Sequence, residues 1–257
     1  MPEHHPETGS ARALPAAGGP ISVIPVCGLP PLRSGDDLAT LIRAAVALRD
    51  GDVVVVAQKA VSKCEGREVS LLGVEPSAEA LSYAQPEEDP RVIELILRES
   101  VRVVRRRGSF LVCETRHGFV CASAGVDRSN TSGDDLAILL PVDPDASAHA
   151  LRAAFALELA VIVSDSFGRP FRTGTTGVAV GCAGLEPVTS FTGLADDRGR
   201  VLQGTEVHVA DQLASAAELA MGPIGGVPAA VIRGFEWASG TAGARDTVIP
   251  ADRDLFR

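Results

Sequence analysis

Four valines in a row, Val53 to Val56 within the stretch DVVVVAQ, constrain this chain more than any other feature. Successive side chains of a strand point to opposite faces, so an apolar run without polar alternation has to be covered on both sides. The stretch LAVIVS, Leu159 to Ser164, makes the same demand. Aromatic residues are only 4% of the chain, so the covering layers must be built from Val, Ala, Leu and Ile, which suits strands combined with helices. At 257 residues and 46% hydrophobic, the chain has enough apolar material for one large domain or two small ones, and wholesale disorder is ruled out.

The local signals give an order of elements. Ile21 to Val26 predicts a first strand, stopped by the loop Cys27-Gly28-Leu29-Pro30-Pro31. Asp36 and Asp37 can cap a helix that carries Leu38, Leu41, Ile42, Ala45 and Leu48 on one face, with Gly51 past its end. Asp89-Pro90 starts another helix, striped by Val92, Ile93, Ile96 and Leu97, with Arg105, Arg106 and Arg107 set against the negative end of its dipole. SFLVCET and GFVCASAGV flank Arg116-His117-Gly118 as a hairpin that runs into Asp127. Helices follow from about Ser147 to Ala156 and about Val209 to Met221, and PAAVIRGF reads as a late strand. The fold class expected is α+β with mixed and antiparallel sheets. Residues 1–20 predict a disordered tail, 21–237 the folded body and 238–257 a polar extension or linker.

Charge and cysteine usage narrow the setting. Asp plus Glu number 33 against 24 Lys plus Arg, a net charge of −9, which argues against a basic nucleic-acid binder. No apolar run approaches the roughly 18 to 20 residues of a membrane span, and the N-terminus lacks a secretion signal. The cysteines Cys27, Cys64, Cys113, Cys121 and Cys182 are odd in number and scattered, as expected of reduced thiols in a cytoplasm.

The chemistry-bearing residues gather at strand ends. The only lysines, Lys59 and Lys63, follow the valine strand in what reads as a loop, AQKAVSKCEG, and are either a phosphate clamp or ordinary solvated lysines. No Walker pattern is present. Asp127 with Asn130 could converge on a hard cation and its nucleotide, or form an Asx-turn. Asp165 ends the strand LAVIVS, Ser166 adds a hydroxyl, and Arg169 and Arg172 add two guanidinium groups; metal-bridged phosphate binding competes here with plain surface ion pairs. Glu206 is a further candidate oxygen ligand, Asp211 reads as a first-turn helix acid, and His208 reads as peripheral.

Read together, IPVCGLP, AVSKCEG, SAGVDRSN, SDSFGRPFRTG and TEVHVADQLASAAEL resemble, in order and over residues 21–236, the coenzyme F420-0:L-glutamate ligase family. Proteins of that family use GTP and divalent cations, manganese or magnesium, to attach L-glutamate to the phospholactyl carboxylate of the deazaflavin coenzyme F420-0, with further residues added through γ-linkages. The resemblance implies that Asp127 and Asp165 hold one metal, that Ser166 and Glu206 hold a second, and that Asn130 touches the nucleotide. It further implies GTP contacts from Cys27, Gly28, Leu29 and Pro30, from Gln58, Lys59 and Lys63, and from Gly204, Thr205, Glu206, Val207, His208, Val209, Ala210 and Asp211. Lys63, Arg169 and Arg172 are assigned to catalysis, the two arginines as receivers of the anionic substrates. K+ is an optional further ion. Two intertwined subdomains and a homodimer with its site in a cleft are expected on the same ground, as is a flavin-binding C-terminal domain in longer relatives. Against a ligase stand two other readings of these residues, a non-catalytic GTP or metal sensor and a metal-dependent phosphohydrolase.

Overall fold

The computed structural model describes residues 19–256, so the tail expected over 1–20 lies almost wholly outside the described residues. The chain opens with β1 (Ser22–Pro25), α1 (Leu38–Ala45), β2 (Val53–Ala57) and α2 (Gln58–Cys64). It then leaves for a second lobe of β3 (Glu68–Ser70), α3 (Ala78–Tyr83), α4 (Pro90–Arg98), β4 (Ser100–Arg107), β5 (Phe110–Thr115), β6 (Val120–Ala122) and β7 (Leu136–Ile138). It returns through α5 (Pro144–Phe155), β8 (Ala160–Arg169), β9 (Arg172–Leu185), β10 (Val188–Ser190), β11 (Glu206–His208), α6 (Val209–Met221), β12 (Ala229–Arg233) and β13 (Ser239–Gly240). The result is mixed α+β, with a six-stranded sheet in the order β1-β12-β2-β8-β9-β13 and three small antiparallel sheets.

The valine run does what its pattern requires. Val54 and Val56 pack with Val161 and Val163 into one core, roofed by α1, α2 and α5, while Val53 and Val55 pack with Ala160 and Ile162 into a second core under α6. Each such valine contributes about 1.5–3 kcal/mol through burial. A third core, around Leu71, Ile93, Leu111 and Leu139, belongs to the second lobe. At the opposite end of the main sheet, Asp52 is 1% exposed and accepts from Nε and Nη2 of Arg233 at 2.8 and 2.7 Å. That pair ties β12 to the start of β2.

Three local expectations change. The stretch after β2 is a helix, not a loop: α2 has no side-chain cap, and burial of Ala60 and Val61 stabilises it instead. Arg105, Arg106 and Arg107 do not cap α4, which stops at Arg98; they end β4, an antiparallel partner of β5 whose Val101, Val103 and Val104 favour a strand. LAVIVS continues past Ser164 to Arg169 and returns as the 14-residue β9. Beyond residue 238 the chain pairs Ser239 and Gly240 with Leu185 and Gly184, and Ala244 is fully buried, with its amide held by Asp145 at 2.7 Å. The cysteines are free thiols. Among the described residues no helix is long and apolar enough to cross a membrane.

Candidate functional site

β2 and β8 are parallel and in register, Ala57 opposite Ser164, so Gln58 and Lys59 leave the sheet beside Asp165 and Ser166. Parallel strands end together, and their carboxyl ends leave a crevice in which ligands commonly bind. β12 begins at the same edge, with the Ala57 N–H bonded to the Pro228 carbonyl at 2.8 Å, and the loop after β1 closes it with Leu29, Pro30, Pro31 and Leu32. The second lobe supplies the remaining wall through Ser129, Asn130 and Thr131. The cleft so formed has a volume of about 890 Å³.

A bulge sets the aim of Asp165. Val163 pairs with Gly181 but Ser164 pairs with Ala179, so Val180 is the extra residue and the hairpin bends there. The amide of Ala179 donates instead to Asp211 Oδ1 at 2.8 Å, which gives Asp211 a structural task on α6. Burial pushes the Asp165 carboxyl up to about 7, against the opposing pull of the Ser166 N–H at 2.9 Å and the Lys59 charge. Burial also works to raise Asp127, but the Lys59 ammonium 2.6 Å from its Oδ2 and the Ser129 N–H at 2.6 Å outweigh it and hold it below its usual value.

Lys59 and Lys63 cross from the main sheet to the second lobe. Lys59 Nζ also donates to Ser129 Oγ at 2.6 Å, and Lys63 Nζ donates to the Asn130 carbonyl at 2.5 Å. Asp127 forms the Asx-turn through Ser129 and the ion pair at once, so its two readings are not exclusive. Gln58 accepts from Ser62 Oγ at 3.0 Å, while its buried Nε2 lines the cleft without a partner.

The structure therefore brings together Leu29, Pro30, Gln58, Lys59, Lys63, Asn130, Asp165 and Ser166, with Asp127 bonded to Lys59 at their edge. Cys27 and Gly28 precede the lining part of their loop. Arg169 and Arg172 face each other across the exposed tip of the β8–β9 hairpin, outside the residues that line the cleft. Gly204 to Asp211 does not line it either: Glu206, Val207 and His208 form β11 against β10, with Glu206 exposed, and Val209, Ala210 and Asp211 begin α6. What lines the cleft from this part of the chain is the far end of α6 and the loop after it: Glu218, Met221, Gly222, Pro223, Gly226, Val227 and Pro228. Sequence reasoning passed over that stretch, although Gly222-Pro223 and Gly225-Gly226 between a helix and a strand mark an irregular loop.

Among the described residues no three His, Cys, Asp or Glu side chains lie close enough to hold a metal ion alone. The cleft offers the half-buried carboxylates of Asp165 and Glu218 and the Ser166 hydroxyl, with the Asp127 carboxylate at its edge, all oxygen donors. That set fits Mg²⁺ or Mn²⁺, which keep several positions for water and nucleotide phosphates.

The family model described as F420-0:Gamma-glutamyl ligase matches residues 28–234. The chain is similar to the Coenzyme F420:L-glutamate ligase of Methanothermobacter thermautotrophicus, 48% identical over 250 residues that cover 92% of this chain and 99% of that protein. It is 44% identical to the protein of the same name from Methanopyrus kandleri, over 88% of this chain and 93% of the other, and 39% identical to that of Methanocaldococcus jannaschii, over 89% and 94%. With most of its length matched by the family and by relatives at this level, the chain belongs to the F420-0:gamma-glutamyl ligase family.

Proposed function

We propose that this protein attaches L-glutamate to the phospholactyl carboxylate of coenzyme F420-0, using GTP and divalent cations and releasing GDP and phosphate. The observation that carries the reading is the meeting of both lysines of the chain with Asp127, Asp165 and Ser166 in one cleft between two lobes. The names of the similar proteins support the joining of glutamate to the coenzyme, and the charges of the cleft support the nucleotide and the cations.

Lys59 and Lys63 are the positive donors for the nucleotide phosphates, and Gln58 Nε2–H is a free donor beside them. Asp127 and Asp165 would hold one cation, and Ser166 would share in a second. Bound there, the cations neutralise charge on the transferring phosphoryl group. A carboxylate is a poor acyl donor, so the γ-phosphoryl group first moves to the F420-0 carboxylate oxygen, giving an acyl phosphate and GDP. The glutamate amine then attacks the acyl carbon, the amide bond forms, phosphate leaves and the amine loses its proton. The apolar wall of Leu29, Leu32, Met221 and Val227 keeps competing water from the acyl phosphate. Arg169, four residues along β8 from Asp165 and so roughly 13 Å away at the rise of a strand, and its β9 partner Arg172 meet the anionic substrates outside the cleft.

GDP release tests the reading. A ligase releases GDP continuously only when F420-0 and L-glutamate are both present with GTP and Mn²⁺, and F420-0 without glutamate supports at most one GDP per site. Continuous GDP release without F420-0 identifies a phosphohydrolase, and GTP binding without turnover identifies a sensor; either result overturns the proposal.

A further inference from the structure

Three residues of α6 spaced by one helical turn carry a stripe of polar contacts along the β8–β9 hairpin. Asp211 takes the Ala179 N–H, and Ser215 Oγ bonds the Gly177 carbonyl at 2.7 Å and Thr176 Oγ1 at 2.8 Å. The third, Glu218, reaches the cleft, where Ser166 Oγ donates to its Oε1. Gly177 lets the helix come this close: a Cβ there would lie 2.7 Å from the Ala214 carbonyl oxygen.

Glu218 is half-buried, and among the described residues Ser166 is its side-chain partner, with no Lys, Arg or His paired to it. Lys59 pairs with Asp127 and Lys63 with the Asn130 carbonyl, so neither ammonium lies on Glu218. A carboxylate in a half-buried cleft needs positive charge, and a neutral hydroxyl does not supply it. Gln58, a 2% exposed residue in the same cleft, has a buried Nε2 that makes no close hydrogen bond and only weakly draws down the Asp165 carboxyl, which leaves a donor for a ligand oxygen. Glu206, the acid expected beside Ser166, is exposed on β11 and does not line the cleft.

We propose that Glu218 is the carboxylate that joins the Ser166 hydroxyl in holding the second divalent cation. The assignment rests on the metal-dependent reading above. It is tested by titrating Mn²⁺ into the whole chain with a non-hydrolysable GTP analogue, reading free Mn²⁺ by electron paramagnetic resonance. Glu218→Gln keeps the shape and still accepts the Ser166 proton, so the fold is retained, which a thermal melt checks.

The wild type binds two ions, and Glu218→Gln keeps one and weakens the other at least about tenfold, as does Ser166→Ala. Glu218→Gln binding both ions as tightly as the wild type overturns the assignment, all the more if Ser166→Ala or Glu206→Gln loses one. A wild type that binds a single ion overturns it as well. A wild type that binds no Mn²⁺ removes the metal-dependent reading itself.

Discussion

Glu94 shows how single residues stabilise the second lobe. Its carboxylate takes the Ser77 N–H at 2.9 Å and pairs with Arg98 at 2.8 Å, so it fastens the start of α3 to α4. The Ser77 hydroxyl and N–H, followed by Arg98, hold the carboxyl down at about 2. A depressed carboxyl stabilises the fold fully above its unfolded value of about 4.3 and ceases to do so as pH falls through its folded value. Thermal melts between pH 5.5 and 2.5 are therefore expected to fall less steeply for Glu94→Gln than for the wild type, and equal slopes would contradict the role. At the hairpin tip, Arg172→Glu is expected to raise the KM for F420-0 several-fold with little change in kcat, because the role proposed for it is to receive an anionic substrate away from the reacting atoms. Steady-state kinetics with varied F420-0 decide this.

Among the elements, those whose signals are local were legible and those made by tertiary contact were not. α6 follows the expected Val209 to Met221, since periodic alanines and leucines end at Gly222. The start of α4 at Pro90, capped by Asp89, is equally plain. β9 was hidden because TGTTGVAVGCAG is rich in glycine, and glycine weakens a strand signal. The structure shows why glycine is there: a Cβ on Gly181 would sit 2.2 Å from the Pro144 carbonyl oxygen, where α5 lies on β9. Gly181→Ala is expected to cost about 1–3 kcal/mol or more by forcing that helix off the sheet. A urea midpoint unchanged from the wild type would remove the close approach from the account.

At the scale of the molecule, the cleft exists because the chain leaves the main sheet after α2, builds a second lobe and comes back through α5 into β8. Asp127, Asp165 and the two lysines were legible because each sits just past an apolar run, and strand ends are where ligands bind. Their convergence was not, because it depends on the parallel register of β2 with β8 and on Lys59 and Lys63 reaching the other lobe. The same limit displaced the third wall: the polar stretch Gly204 to Asp211 drew attention, while the cleft is lined by Glu218 and the loop Met221 to Pro228 one helix later. The central claim is that this cleft joins glutamate to F420-0. Mass spectrometry of F420-0 after incubation with the protein, GTP, L-glutamate and Mn²⁺ tests it most directly. The account predicts coenzyme heavier by whole glutamyl units with the wild type and unmodified coenzyme with Asp165→Ala; unmodified F420-0 with the wild type, or full conversion by Asp165→Ala, would contradict it.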